Sequence, residues 1–174
     1  MKGKRIIVCG FMGSGKSTLI SKISDDPNLF LDLDVEVLKL NAPTEENLAK
    51  YIDKIGFDEF RKVEIQSLKK ILSSSFKVLS LGGGSLNNSS LNLIKSYRDT
   101  VLVHLNVNFE DCWERIKHDK SRPLVLKGKE YCHDLFVRRG NLYGSSDIIM
   151  DNESVRGIKS YNDLIRLLDE HPIS

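Results

Sequence analysis

The stretch GFMGSGKSTL, residues 10–19, decides the fold, because it joins a short β-branched run to a helical segment through closely spaced glycines. Four of its residues, Gly10, Gly15, Lys16 and Ser17, match the pattern G-x-x-x-x-G-K-[ST]. In that pattern backbone N–H groups surround phosphate oxygens, the lysine meets the terminal phosphates and the hydroxyl ligates Mg²⁺. A glycine-rich turn without chemical meaning is the alternative, and the low chance frequency of the pattern disfavours it.

The rest of the chain alternates apolar β-branched runs with segments of helical period. The predicted strands are residues 5–9, 29–33, 77–81, 101–105 and 147–150. The predicted helices are residues 16–24, 35–40, 45–54, 57–72, 89–97, 109–118, 129–143 and 159–168. This alternation predicts an α/β fold with a parallel sheet covered on both faces. Ligands of such folds bind beyond the carboxyl ends of the strands.

Composition limits the classes of protein that fit. A chain of 174 residues with 40% hydrophobic content has room for one domain and one core. Its formal net charge of +2 gives no field that favours a nucleic-acid or membrane partner. We find no signal peptide and no apolar run long enough to span a membrane, so we expect a cytoplasmic protein. Three widely spaced cysteines predict reduced thiols rather than disulfides or a zinc site.

The second predicted strand ends in an acidic pair within LFLDLDVEV. Asp32 and Asp34 are two residues apart, and strand alternation therefore places both on one face of the sheet. Two carboxylates there would reach a Mg²⁺-bound phosphate and the hydroxyl that attacks it. A solvated strand end is the alternative, because a D-x-D pair is common by chance.

Two predicted helices carry charged residues within their apolar faces. In FDEFRKVEIQSLKKIL, Arg61 and Glu64 are three residues apart and can pair on that face. In YCHDLFVRRGNLY, Arg139 falls in the middle of the apolar arc and Arg138 just outside it. Two inward guanidinium groups favour a small anionic substrate, since a carboxylate matches the bidentate fork. Long side chains that reach water at a rim are the alternative.

The third predicted strand runs into three glycines in VLSLGGGSL. Consecutive glycines are best explained by a backbone that passes close to a ligand, although a flexible loop would also contain them. Ser80 lies just before them, where its hydroxyl would hold water near the metal.

The ordered set GFMGSGKST, DLD, FDEFRKVE, LSLGGG, SRPL and RRGNLY resembles shikimate kinase from about residue 5 to residue 150. The resemblance implies a three-layer P-loop NTPase fold of the nucleoside-monophosphate-kinase type, with a five-stranded parallel sheet in the order 2-3-1-4-5. It also implies ATP-dependent phosphorylation of the 3-hydroxyl of shikimate by a cytoplasmic monomer. Residues 1–174 would form one domain, with a substrate-side flap at about 35–62 and a lid at about 117–127.

The resemblance further implies a role for each residue that matches a family motif. The catalytic residues would be Asp34, as the candidate base, with Lys16 and Arg122. The ATP-binding residues would be Gly13, Ser14, Gly15, Lys16, Ser17, Thr18, Arg115 and Arg122, with Arg115 against the adenine and Arg122 in the lid. The shikimate-binding residues would be Asp34, Arg61, Gly82, Gly83, Gly84 and Arg139, with Glu64 orienting Arg61. The Mg²⁺ ligands would be Ser17 and Asp32.

Two other functions remain compatible with the sequence. One is a related small-molecule kinase such as a gluconate kinase, which the triple glycine and the two inward arginines disfavour. The other is a nucleotide-binding regulatory module without transfer activity, which the intact Lys16, Ser17, Asp32 and Asp34 disfavour. The stretch DNESVRGIKS, residues 151–160, departs from the usual family pattern on the adenine side.

Overall fold

A five-stranded parallel sheet forms the centre of the protein in a computed structural model that describes residues 3–119 and 122–171. The strands are β1 (Arg5–Cys9), β2 (Phe30–Asp32), β3 (Val78–Ser80), β4 (Thr100–Asn106) and β5 (Ile148–Asp151). Their order is β2-β3-β1-β4-β5, and every neighbouring pair is parallel. The order and the class predicted from the sequence are therefore confirmed.

Helices cover both faces of this sheet. They are α1 (Lys16–Ile23), α2 (Leu33–Asn41), α3 (Leu48–Ile55), α4 (Phe57–Leu72), α5 (Asn88–Lys95), α6 (Phe109–Ile116), α7 (Lys129–Tyr143), α8 (Asn152–Gly157) and α9 (Tyr161–Asp169), with a short 3₁₀ helix at Val125–Lys127. Alternate residues of β1 enter two separate cores: Ile7 packs with α2 to α7, whereas Ile6 and Val8 pack with α1, α8 and α9. The result is a three-layer arrangement.

The strand register brings three chemically important segments together at one edge of the sheet. Ser80 of β3 is paired with Val8 of β1 and with Asp32 of β2. The glycine-rich turn follows β1 directly, and the triple glycine follows β3. The carboxyl ends of the strands thus place the turn, Asp32 and residues 82–84 side by side.

Several elements differ from those predicted. β2 ends at Asp32, and Leu33 already belongs to α2, because the Asp32 side chain caps that helix by accepting a hydrogen bond from Asp34 N (3.0 Å). The helix predicted at 45–54 begins at Leu48, because Asn47 caps it in the same way. Residues 152–157 form a helix that the sequence did not predict, since six residues show too little period.

None of the helices in the described part of the chain is long and apolar enough to cross a membrane.

Candidate active site

The glycine-rich turn wraps around the N-terminus of α1. Gly15 caps this helix with φ of 93°, a left-handed conformation that suits glycine. Ser14 is buried, whereas Ser17 and Thr18 are exposed on the first turn of the helix. The free N–H groups and the dipole of that turn favour an anion, so the observed geometry is that of a phosphate-binding loop.

Lys16 lies beneath this loop and is only 7% exposed. Its Nζ donates hydrogen bonds to Gly10 O (2.8 Å) and Phe11 O (2.9 Å). Burial lowers the pKa of this ammonium to about 8, while the negative charges of Asp34 and Asp32 oppose the shift. The cation is thus held at the loop by carbonyl groups that a phosphate would replace.

Oxygen atoms suited to a divalent cation meet beside Lys16. The hydroxyl of Ser17 donates to Asp32 Oδ2 at 3.2 Å. Ser80 Oγ, buried on the neighbouring strand, has no hydrogen-bond partner within the described residues. A hydroxyl, a carboxylate and an unpaired buried hydroxyl form the hard-oxygen set that Mg²⁺ prefers, so these residues fit the ion.

Asp34 reaches the site from a helix and not from a strand. The prediction that strand alternation places it beside Asp32 was wrong, because Asp34 lies in the first turn of α2. Its side chain still faces the glycine segment: a Cβ atom on Gly82 would lie 2.4 Å from Asp34 Oδ1. A residue larger than glycine at position 82 would therefore collide with this carboxylate.

The surroundings of Asp34 raise its pKa to about 6. Burial is the main cause, and the carboxylates of Asp32 and Glu64 add to it, whereas Lys16 and Arg61 oppose it. A carboxylate with a pKa in this range accepts a proton more readily than an ordinary aspartate.

Arg61 and Glu64 pair on α4, as their spacing predicts. Arg61 Nη1 donates to Glu64 Oε2, and the Glu64 side chain is only 5% exposed. The guanidinium of Arg61 also lies over the Phe57 ring, 4.6 Å from its centroid. Glu64 Oε1 accepts a second hydrogen bond from Ser85 Oγ at 2.7 Å. Arg61 is therefore held from two directions, and its Nη2 faces the triple glycine.

Arg139 of α7 faces the same place, and Arg138 does not. Arg139 Nη1 donates to Gly83 O at 2.7 Å, whereas Arg138 is exposed and, among the described residues, bonds Asp134 O of its own helix. The Tyr143 hydroxyl also donates to Gly83 O (3.0 Å). Burial lowers the pKa of Arg139 and raises that of Tyr143.

The two guanidinium groups meet at Gly84. A Cβ atom on this residue would lie 2.8 Å from both Arg61 Nη2 and Arg139 Nη2. Two donors from separate helices thus face one small space, which is the arrangement that binds a carboxylate. The glycine is needed because a side chain would occupy that space.

A cavity of about 1110 Å³ joins most of the residues that the sequence singles out. Those in its lining are Gly13, Ser14, Gly15, Lys16, Ser17, Thr18, Asp32, Asp34, Gly82, Gly83, Arg115 and Arg122. The arginine pair and Gly84 are not part of this lining, although Arg139 bonds the carbonyl of Gly83, which is. The site therefore has a nucleotide-sized part and a smaller cationic part.

The nucleotide end of the cavity has exposed arginines. Arg115 Nη1 donates to Gly13 O at 2.9 Å, and its Nη2 approaches Asn152 Oδ1 at 3.4 Å. Arg122 Nε pairs with Asp119 Oδ2 at 2.7 Å. Within the predicted lid, Lys120 and Ser121, and with them the first residue of the SRPL motif, lie outside the described residues.

Some residues of the site had no role in the sequence analysis. Asn152, Val155 and Arg156 line the nucleotide end of the cavity from α8, in the stretch that departs from the usual family pattern. The Tyr143 hydroxyl donates a hydrogen bond to Gly83 O, and the Ser85 hydroxyl donates one to Glu64 Oε1. Of these residues, Tyr143 alone could have been singled out by helical periodicity, since it lies one helical turn after Arg139 in the apolar arc of α7.

The fold and the site define a P-loop phosphotransferase with a small anionic acceptor. The shikimate kinase family model matches residues 12–168. A shikimate kinase from Aquifex aeolicus is 36% identical over 151 residues, which cover 86% of this chain and 87% of that protein. The chain belongs to the shikimate kinase family. It is accordingly a kinase, a phosphotransferase with an alcohol group as acceptor.

Solved structures agree with this family. The crystal structure of the shikimate kinase from Aquifex aeolicus has a TM-score of 0.76 at 33% identity, covering 95% of this chain and 96% of that chain. The shikimate kinase from Acinetobacter baumannii, in complex with shikimate, has a TM-score of 0.78 at 22% identity, covering 99% of this chain and 97% of that chain. The second likeness concerns the fold alone, and both agree with the predicted P-loop kinase architecture.

Proposed function

We propose that this kinase transfers the γ-phosphoryl group of ATP to the 3-hydroxyl of shikimate, on the route to the aromatic amino acids. The observation that carries the proposal is the placement of Asp34 between the phosphate-binding loop and the arginine pair. Shikimate has one carboxylate and three hydroxyls, so a cationic clamp and a neighbouring carboxylate match its two kinds of group. The products are ADP, shikimate 3-phosphate and a proton.

The substrate roles follow from the geometry of the cationic part. Arg61 and Arg139 hold the carboxylate of shikimate with the Nη2 atoms that face Gly84. Asp34 accepts a hydrogen bond from the 3-hydroxyl and takes its proton as the O–P bond forms. The bond between the γ-phosphorus and the β,γ-bridging oxygen breaks at the same time, and ADP leaves.

The nucleotide roles follow from the lining of the cavity. The N–H groups of residues 13–18 surround the phosphates, and Lys16 and Arg122 offset the charge of the phosphoryl group in transfer. Arg115 lies against the adenine. Ser17 and Asp32 would hold Mg²⁺, and the Ser80 hydroxyl would hold a water near the ion. When bound, Mg²⁺ neutralises phosphate charge and aligns the transferred group.

Two segments of the chain would move during the reaction. Residues 35–62 form a flap on the substrate side, and residues 117–127 form a lid that brings Arg122 over the phosphates.

We further propose that the protein works as a cytoplasmic monomer without a nucleic-acid or membrane partner. We also propose that residues 1–174 form a single domain.

A substrate panel tests the reaction. ADP release by the purified protein with Mg²⁺-ATP is measured alone and with shikimate, quinate or gluconate. Strong stimulation by shikimate alone supports the proposal. Stimulation by gluconate instead would assign the site to a different sugar acid. ATP binding without stimulation by any acid would favour a regulatory nucleotide-binding module.

A further inference from the structure

We propose that Ser85 is a positioning residue for the carboxylate clamp, acting on Arg61 through Glu64. The inference rests on the proposed function, since it concerns how the same site recognises the carboxylate of its acceptor. Ser85 follows the triple glycine directly and contacts neither the phosphate-binding loop nor the arginines in any hydrogen bond of the described residues. Its effect on the substrate must therefore pass through another side chain.

The Ser85 hydroxyl completes the hydrogen bonding of a buried carboxylate. Glu64 is 4% exposed and Ser85 is 2% exposed, so water does not compete for either group. Ser85 Oγ donates to Glu64 Oε1 at 2.7 Å, while Glu64 Oε2 accepts from Arg61 Nη1. The terminal torsion of a glutamate is broad, and one partner alone does not fix the carboxylate plane. Two partners on opposite oxygens do fix it.

Ser85 itself is held in place by its backbone. Its N–H donates to Gly82 O at 3.0 Å, and its carbonyl accepts from the buried Ser90 Oγ at 2.7 Å. The hydroxyl is thus anchored both to the glycine segment and to the start of α5. Because Gly84 belongs to the same segment, Ser85 sets the position of Glu64 relative to the space that the two Nη2 atoms face.

The consequence is a preorganised guanidinium. Arg61 Nη1 is engaged by Glu64, which leaves the Nη2 edge directed at Gly84. Without the Ser85 hydroxyl the carboxylate plane of Glu64 rotates more freely, and the Arg61 edge loses its fixed direction. Supporting groups of this kind determine how well a binding pair holds its productive geometry.

The experiment compares kinetics of the wild type, Ser85→Ala and a matched control, Ser67→Ala. Ser67 is also buried, lies on α4 one turn after Glu64, and accepts a hydrogen bond from Asn41 Nδ2 at 2.9 Å. Its removal costs a buried hydroxyl that makes no hydrogen bond to Glu64 among the described residues. We expect Ser85→Ala to raise KM for shikimate about tenfold, with kcat and KM for ATP within about twofold of wild type. Ser67→Ala leaves all three values close to those of the wild type.

Two further readouts separate positioning from a general structural role. In an Arg61→Lys background, Ser85→Ala should add less than about a twofold rise in KM, because the two changes act on one interaction. With a shikimate analogue that carries a hydroxymethyl group in place of the carboxylate, Ser85→Ala should not change KM relative to the wild type.

The outcomes distinguish this inference from the proposed function. If the wild type shows no shikimate-dependent ADP release, the proposed function fails and the inference falls with it. If the wild type is active and Ser85→Ala keeps the wild-type KM, only the inference is overturned. An equal rise in KM in the Arg61→Lys background, or with Ser67→Ala, also contradicts it.

Discussion

The smaller cationic part of this site, with Arg61 and Arg139, is called the acid-binding side here, and the part with Arg115 and Arg122 is called the nucleotide side. The two sides hold their arginines in different ways. On the acid-binding side, Arg61 is fixed by buried Glu64, and Arg139 by the carbonyl of Gly83. On the nucleotide side, Arg115 and Arg122 are both exposed. The pair of Arg122 with Asp119 joins residues three apart in one segment and leaves the arginine side chain 46% exposed.

This difference indicates which part of the site is ready before ligands bind. An exposed ion pair contributes little energy and is easily exchanged for a phosphate. A partly buried pair whose carboxylate has both oxygens occupied stays in one geometry, because breaking it leaves the buried charge of Glu64 uncompensated. We infer that the acid-binding side is preformed and that the nucleotide side is completed by ATP. The following experiments test this contrast.

The largest effect is expected at Asp34, where the two sides meet. Asp34→Asn should lower kcat about 10³-fold, because the amide cannot accept the proton of the attacking hydroxyl. ATP binding, measured by calorimetry, should persist, since the phosphate-binding loop is unchanged. Turnover close to that of the wild type would remove Asp34 from the mechanism.

The same substitution should stabilise the protein at neutral pH. The pKa of Asp34 is about 6 in the folded state, against an ordinary value of 3.8, so the folded state binds the proton more tightly. Stability is therefore lost as pH rises from about 4 through 6. Asp34→Asn removes that cost, and we expect a gain of up to about 3 kcal/mol in the free energy of unfolding at pH 8.

Urea denaturation at two pH values checks this prediction. The gain from Asp34→Asn should shrink to less than about 1 kcal/mol at pH 4, because the folded-state carboxyl is then protonated and roughly half of the unfolded-state carboxyls are protonated too. An equal gain at pH 4 and pH 8 would show that ionisation of Asp34 is not its cause.

The acid-binding side offers a comparison between adjacent arginines. Arg139→Lys should raise KM for shikimate about 100-fold, because an ammonium cannot replace the fork that bonds both Gly83 O and the carboxylate. Arg138→Lys serves as the control, since Arg138 is exposed and bonds the carbonyl of Asp134 in its own helix. Steady-state kinetics with varied shikimate measures both, and similar KM values for the two variants would place the carboxylate elsewhere.

The smallest effect is expected on the nucleotide side. Arg122→Lys should lower kcat about tenfold, because it keeps the charge and loses the planar fork. Thermal denaturation should show the stability of the wild type, since the Arg122–Asp119 pair is exposed. A clear loss of thermal stability in Arg122→Lys would abolish the contrast between the two sides.

Long elements of this chain can be assigned from the sequence more fully than short ones. In the 15-residue α7, periodicity was sufficient to separate Arg139 from Arg138. The pairing of Arg61 with Glu64 followed from the same argument on α4. These assignments hold because many apolar neighbours define the face of a long helix.

The sequence predicts short elements less accurately. The boundary between β2 and α2 was misplaced, which put Asp34 on the wrong kind of element while leaving it near Asp32. Ser85 follows glycines in a loop, where no period reports the direction of its hydroxyl. The six residues of α8 are stabilised by the Asp151 cap rather than by a pattern. In each case the deciding contact joins segments far apart in the chain or depends on one capping residue.

Calorimetric titration of the nucleotide-free protein with shikimate tests the central contrast most directly. A preformed acid-binding side predicts one-to-one binding without ATP, and Arg139→Lys should weaken it while Arg138→Lys should not. Binding of shikimate only after addition of a nucleotide would contradict this account, because the arginine pair would then be assembled by the ligand and not by the fold.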